Sequence, residues 1–509
     1  MTNMNLRALP PVSTLTACIA TWLMLGAVTE AAAAPAAVPF EGAGLGSALR
    51  LAFPQVSQRA RLAVVPSNSA PALIAQAVTG CGDDANDFTT LRHAVLTANP
   101  GDTINVSGLP CGKITLQNGA ITVAVADLTI IGAGPGKFTI DGAGAGRVFK
   151  HTGKGTLTLE GMTVTNGVVA ADKAYGGCIY DAGNLTLRNV TLTGCKALGQ
   201  TAAVGGGAVV LGQLALYSSS ISGNTADAAV GQAASLSAAG GGVFSLNTDS
   251  EHKVVSSTIS GNLAHAASGL AEGGGLVGYR VSIKYSTLSG NVAAAQGNKD
   301  SYSGGGGAVI AYSLSMGSST VDDNLADAGG GLFISKSAGF ASILQSTISG
   351  NTANFIAGGI SCGVALSISN STIAFNDGIL YGAGGIFVAG ADLTLQSTIV
   401  ADNLPADVDG ANAVIGSHNL IKIPGAYITP PLDTIALDPQ LGPLAYNGGA
   451  TRTHALAAGS PALQGGSLPI SLPSDQRNGS YARTVGNATD IGAYEFDPDH
   501  IFGDVFDAH

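Results

Sequence analysis

The sequence predicts an all-β chain, a right-handed parallel β-helix (solenoid) with a helical N-terminal cap and an irregular C-terminal cap. Three observations carry that prediction. A short unit recurs: a serine or threonine pair, an aliphatic residue, two more residues, then asparagine. It reads Ser219-Ser220-Ile221-Ser222-Gly223-Asn224 and Ser257-Thr258-Ile259-Ser260-Gly261-Asn262, and it recurs ending at Asn291, Asn324, Asn351 and Asn376. Glycine runs such as Gly205 to Gly207, Gly240 to Gly242 and Gly273 to Gly275 interleave with it. Between these marks Ser, Thr, Val, Ile and Leu nearly alternate, which is strand spacing; glycine this dense would destroy a helix. The asparagines fall 38, 29, 33, 27 and 25 residues apart. Two fixed units and one segment of changing length describe a solenoid coil with a variable loop.

Each element has a physical reason. In the coil from Gly329 to Asn351, Leu332 to Ile334, Ala341 to Leu344 and Thr347 to Ser349 read as three strands. Asn and Gly accept left-handed backbone angles at the corners. Asn224, Asn262, Asn291, Asn351 and Asn376 are expected to stack along one corner as structural residues. Inward Ile, Leu and Val should form ladders. From Thr103 to Asn403 the chain has room for about eleven coils at ~4.8 Å each. The segments that follow each asparagine, Thr225 to Ala239, Leu263 to Glu272 and Val292 to Ser303, read as loops projecting on one side of the rod.

Five regions follow. Residues 1–34 read as a signal peptide: Arg7 precedes an apolar stretch from Thr14 to Val28, and Ala31 to Ala34 offer a cleavage site. A lipobox reading of Leu15 to Cys18 competes, but apolar residues continue past the cysteine. Residues 35–78 are an Ala-, Pro- and Val-rich linker or leader. Residues 79–403 are the β-helix, opened by an amphipathic helix that Asp87 or Thr89 can cap, with Leu91, Ala94, Val95 and Ala98 on one face. Residues 404–495 break into turns and should seal the solenoid's end. Residues 496–509 form an acidic tail expected to be mobile. The expected location is outside the cell or on its surface, with no membrane span once the signal is cleaved. Export permits disulfides, and proximity pairs Cys81 with Cys111 and Cys178 with Cys195; the alternative is five reduced, buried thiols. Cys362 is left as an inward thiol.

Charged residues make up only 11% of the chain and the net charge is −11, with no basic stripe for nucleic acid. The cysteine and histidine spacing fits no metal site, and the glycine runs lack the lysine of a phosphate loop. No cofactor is expected.

Three resemblances rest on motifs. Cys81 with Thr90-Leu91-Arg92-His93-Ala94, Ala98-Asn99 and Asp102-Thr103-Ile104 resembles the CSLREA domain of secreted bacterial β-helix proteins, departing in an insertion after the cysteine and in His93. Leu437-Asp438-Pro439, Asn447-Gly448-Gly449, Gly459-Ser460-Pro461, Asp475-Gln476-Arg477 and Asp490-Ile491-Gly492-Ala493-Tyr494-Glu495 resemble the choice-of-anchor Q domain. The repeats are similar to those of polymorphic outer-membrane proteins. Together the resemblances imply a secreted or surface-associated β-helix without implying a defined catalysis.

The leading functional expectation is a non-catalytic β-helix for adhesion, envelope scaffolding or carbohydrate binding, its partner an extracellular polysaccharide or a host or envelope surface. The alternative is an extracellular polysaccharide lyase or glycoside hydrolase, and calcium would be needed only by the lyase. Asn247-Thr248-Asp249 and Asp322-Asp323 echo two polygalacturonase motifs without the rest of the set. Glu272, Arg280 and Lys284 fall within one coil, near Asp300, and either form a solvated patch or serve a lyase. Tyr279, Tyr285, Tyr302 and Tyr312 fall in or beside the longest loops. Glu272, Tyr279, Arg280, Lys284 and Tyr302 are therefore the binding candidates. No catalytic residue is assigned.

Overall fold

A computed structural model describes residues 75–499, except 230–235, 246, 297–303, 336–338, 381 and 469–470. The expected signal peptide, nearly all of the expected leader, Asp300, Tyr302 and residues 500–509 lie outside the described residues.

Thirty-two of the described strands join into one continuous parallel sheet that winds as a right-handed β-helix. The coil Leu332–Ile334, Ala341–Leu344 and Thr347–Ser349 pairs in register with Ile360–Cys362, Leu366–Ser369 and Thr372–Ala374. Register is strict because a slip of one residue would turn every inward side chain outward. Val164, Leu192, Ile221, Ile259, Leu288, Val321, Ile348 and Ile373 thus form one buried ladder. Each such burial contributes about 1.5–3 kcal/mol.

Two polar ladders fix the corners. Asn224 Nδ2 donates to Asn262 Oδ1 at 2.9 Å, and the same bond repeats through Asn291, Asn324, Asn351, Asn376 and Asn403 at 2.8–2.9 Å. Asn403 then donates to Asp407 Oδ1 at 2.9 Å. One turn away, the first serine of each pair accepts a backbone N–H from the preceding coil: Ser219 from Val190, Ser257 from Ser219, Ser286 from Ser257, Ser319 from Ser286. Both halves of the recurring unit are therefore hydrogen-bonding hardware. The glycine runs have a separate cause. Gly240 sits at φ 60°, and a side chain at Gly241 would collide with the carbonyl of Gly274 in the next coil.

Where they are described, the segments after each asparagine are strands rather than loops. They fold into an eleven-stranded parallel sheet of their own, including Lys196–Val204, Thr225–Ala228, Leu236–Ala239, Leu263–Ala266 and Leu270–Glu272. Ala197, Ala226, Ala228, Ala238, Ala264 and Ala266 pack together in its core. Alanine suits this site because the outgoing and returning legs lie close together. The returning leg packs on the solenoid through Val204, Val209, Ala239, Phe244, Val277 and Ile310.

At the N-terminal end the helix Leu91–Leu96 buries Leu91, Ala94 and Val95 over the first coil. Its cap is Thr90, which accepts from His93 N, and neither Asp87 nor Thr89 serves; Asp87 instead closes a turn onto Thr89. Ala75–Ala77 already pairs with Thr103 to Asn105, so strand pairing starts before residue 79. Cys81–Cys111 and Cys178–Cys195 are disulfides, and Cys362 is a buried free thiol whose pKa burial pushes up to about 11.

The expected break at 404 is displaced. Val408–Asp409, Val414–Ser417 and Leu420–Ile421 pair in register with the coil before them, so the solenoid runs on past 403. The chain beyond it does not simply seal the end. It folds back along the flank, bonding to Thr320, Gln345, Thr347, Thr372 and Ser397. The tail is held at its start: Phe496 packs beside Ile399, Leu420 and Leu456, and its N–H donates to Asp490.

Replacing Asn291 with Ala removes four buried side-chain hydrogen bonds, two accepted from Asn262 and two donated to Ile259 O and Asn324 Oδ1, and leaves the Asn262 N–H without its side-chain acceptor. Urea unfolding is expected to show a loss of about 1–3 kcal/mol, whereas Thr287→Ala, on the partly exposed face of the same coil, should stay within about 0.5 kcal/mol.

Candidate functional site

The expected site residues separate. Glu272 ends its strand with Oε2 sealed from solvent and without a hydrogen-bond partner among the described residues. Burial pushes its pKa up to about 7. Tyr279 stacks on Tyr312 with ring centroids 4.7 Å apart, and Glu272 adds to the burial that pushes the Tyr312 phenol up to about 12. Arg280 and Lys284 point outward along Leu276–Lys284 and form no ion pair with Glu272. The lyase-like grouping of Glu272, Arg280 and Lys284 therefore does not assemble. The reason is topological: Glu272 belongs to the second sheet, while the two bases belong to the solenoid's outer surface.

The concave feature lies where the C-terminal segment docks. A cavity of about 440 Å³ is lined by Asp323, Ser349, Phe375, the turn at 441–444, Arg452 and His454. The solenoid supplies its floor. Ser289, Asp322 and Ser349 occupy one outward column on successive coils. At the corner beside that column Gly194, Gly223, Gly261, Gly290 and Gly350 have positive φ, but Asp323, Phe375 and Asp402 hold the same conformation with side chains, at φ 56–59°. For a bulky residue that is strained backbone. The strain coincides with grip: Phe375 lies against His454 at 5.1 Å and Asp402 pairs with Lys422.

The antiparallel pair Leu441–Ala445 and Thr453–Leu456 brings the other wall. Arg452 bonds to the Asp322 carboxylate and to Ser289. Burial raises the Asp322 pKa to about 6, with Arg452 and Ser289 pulling against it and Asp323 adding repulsion. His454 Nδ1 lies 2.7 Å from Gly442 O, which can only accept, so that nitrogen carries the proton. Its Nε2 then accepts from Ser349 Oγ at 2.8 Å. Burial lowers the His454 pKa, which keeps the ring neutral. The sequence reading noticed Asp322 and Asp323 and missed Arg452 and His454. The available signal was non-glycine residues at a corner that otherwise takes glycine.

The C-terminal motifs form a buried knot. Asp475 holds Arg477 through Nε and Nη2, and Arg477 lies between the rings of Tyr481 and Tyr494. Arg483 donates to the carbonyls of Gly492 and Asp490 and faces Glu495 at 3.4 Å. Gln476 bonds to Thr347, Thr320 and Thr451, docking the knot on the solenoid. Burial raises the Glu495 pKa to about 8, with Arg483 opposing and Asp490 reinforcing. A second buried charge pair lies in the lumen. His151 Nδ1 meets Asp181 Oδ1 at 2.7 Å, and Nε2 faces the carbonyls of Val125 and Ala126. Burial works against the charge, but the Asp181 bond and the two carbonyls outweigh it and raise the His151 pKa.

No family model matches the sequence, and no curated protein matches it. Among solved structures the chain is similar to the crystal structure of pectate lyase Pel9A, at 15% identity and a TM-score of 0.45, over 84% of this chain and 98% of that one. No helix among the described residues is long and apolar enough to cross a membrane.

Two predictions follow from these charges. Arg452→Ala leaves Asp322 buried without its cation and should free the C-terminal segment to limited proteolysis after residue 436, while the solenoid fragment stays resistant. Between pH 6.5 and 8.5 folded Glu272 and Glu495, which burial holds at about 7 and about 8, still release protons, while the unfolded carboxyls have already lost theirs, so the folded state binds more protons and stability falls as pH rises. Melting temperature should be lower at pH 8.5 than at 6.5. Glu272→Gln should recover part of the difference, about 1 kcal/mol, and change little at pH 5.

Proposed function

We propose that this chain is an exported or cell-surface β-helix that binds extracellular polysaccharide without cleaving it. The observation that carries the reading is the use made of charge in the cavity. Asp322, Arg452 and Ser289 bond to one another across the seam between solenoid and C-terminal segment, and Ser349 and His454 do the same. These groups hold two parts of one chain together. The knot built from Asp475 to Arg477 and Asp490 to Glu495 supports reading the C-terminal region as a choice-of-anchor Q-like structural domain, and the Cys81-tethered helix supports a CSLREA-like N-terminal region. The two disulfides suit an oxidising compartment. Domain limits in this reading are 1–34 for the signal, about 75 onward for the capped solenoid, and a flank-docked region in place of an end plug.

A lyase or hydrolase on the same fold is the second reading, favoured by Asp322, Asp323, Arg452 and His454 around one cavity. The deciding experiment incubates the mature protein with neutral and acidic polysaccharides, with and without calcium, and follows co-sedimentation together with new reducing ends and unsaturated products. Retention without products is expected. Product formation that Asp322→Asn abolishes would establish the enzyme instead.

A further inference from the structure

We infer that the docking face used by the C-terminal segment continues, uncovered, as a flat hydroxyl platform for an extended neutral glycan. The inference rests on the glycan-binding reading above and adds the face and the ligand class. Along one side of the solenoid, register stacks Thr163, Thr191, Ser220, Thr258 and Thr287. Two residues on in each strand, Thr165, Thr193, Ser222, Ser260 and Ser289 form a parallel column. Neighbouring hydroxyls thus lie about 4.8 Å apart along the axis and about 6.6 Å across it. These residues are partly exposed and uncharged, and Ser289 marks the boundary, where Arg452 of the C-terminal segment already reaches the column.

The first column runs on as Thr320, Thr347 and Thr372 and the second as Asp322, Ser349 and Ala374, and there both are buried. What covers them shows what the platform can do. Thr320 donates to the carbonyl of Arg452, Thr347 donates to Gln476 Oε1, and Thr372 accepts the N–H of Ala493. The hydroxyls therefore serve as donors or acceptors according to the partner. The corner beside the columns changes at the same boundary. In the open stretch it is Asn166 in the first coil and then glycine at 194, 223, 261 and 290, and a side chain at Gly261 or Gly290 would meet only open space. In the covered stretch Asp323, Phe375 and Asp402 rise from it. The open stretch is kept level, and the covered stretch is built to grip.

An occupant must be linear, because the array repeats along one axis. It must be uncharged, because the array is uncharged. It must offer groups that both donate and accept at each step, and it must be flat enough to lie on glycine. A β-linked neutral glycan meets all four demands, with one sugar ring about as long as one coil step.

The full mature protein is sedimented with microcrystalline cellulose and with chitin, alongside immobilised polygalacturonate and an ice-recrystallisation assay. The expected result is retention on at least one neutral glycan, a tenfold or greater loss in Thr191→Lys/Thr258→Lys, and no change in Ser282→Lys/Ser315→Lys on another outer face. Melting curves verify folding; if the lysine variant is unfolded, Thr191→Val/Thr258→Val, which removes only the hydroxyls, should weaken retention several-fold. Retention that neither variant alters overturns the platform and leaves the glycan-binding reading standing. No retention on cellulose, chitin or polygalacturonate overturns both. Retention on polygalacturonate alone, or activity on ice alone, overturns the neutral-glycan assignment.

Discussion

From Asn224 to Asn403 each coil is tied to the next by one repeated side-chain bond, asparagine Nδ2 to the following asparagine's Oδ1, and the rest of the architecture is arranged around it. The amide both donates and accepts, so it can be inserted into a column of any length without leaving a buried group unpaired. Fixing that corner fixes the register of the Thr-Ile-Ser strand before it and the departure point of the second sheet after it. The column also needs ends. At the start, Asn224 Oδ1 accepts the N–H of Cys195, whose sulfur is tied to Cys178. At the finish, Asp407 replaces asparagine, accepting from Asn403 and from the N–H of Ile423. A terminal carboxylate suits this place, because nothing beyond it needs a donor. Burial raises the Asp407 pKa, and those donors oppose the shift.

Much of this was legible because it is periodic. The strands at 332–334, 341–344 and 347–349 were readable from β-branched alternation, and the disulfide pairs from proximity. What stayed hidden was either non-periodic or disguised by composition. The alanine-rich segments after each asparagine look like loops, because alanine carries no strand signal; they become strands only when the preceding coil offers an edge to pair with. The docking of Arg452, His454 and Gln476 joins residues more than a hundred positions from their partners and repeats nothing. Thr90 as the helix cap was obscured by an acid and another threonine just before it. Of the binding candidates, Glu272 and Tyr279 lie at the junction of the two sheets, and Arg280 and Lys284 sit elsewhere on the surface, since nearness in one coil does not decide which sheet a residue joins.

The C-terminal motif makes sense once its charges are counted. Asp475, Asp490 and Glu495 are buried with only Arg477 and Arg483 to balance them. A third ionised carboxyl in that volume would lack a cation, and a buried unpaired charge is costly. One carboxyl must therefore keep its proton, and Glu495 is the one whose pKa is pushed highest. Its neutral form still accepts the N–H groups of Val485 and Asp490, so its hydrogen bonds survive. The ordered spacing of Asp-Gln-Arg and Asp-Ile-Gly-Ala-Tyr-Glu thus encodes a charge-matched knot, with Gln476 as the side chain that reaches out to the solenoid.

The strained corners connect this knot to function. A left-handed Asp323, Phe375 or Asp402 costs on the order of 1–3 kcal/mol where glycine would cost little. The repeat supplies glycine at the same corner in five coils, so the exceptions mark where side chains gain more from docking than the backbone loses. For these three residues that trade lies on the flank under the C-terminal segment, whereas Asn166, of a type that tolerates the conformation, holds the corner of the first coil of the open stretch. The coils at Gly194, Gly223 and Gly261 keep glycine and keep their hydroxyl columns open, so one surface carries two consecutive regimes. The chemistry of its columns is the same in both until Asp322, and what separates them is only whether the chain itself lies on top.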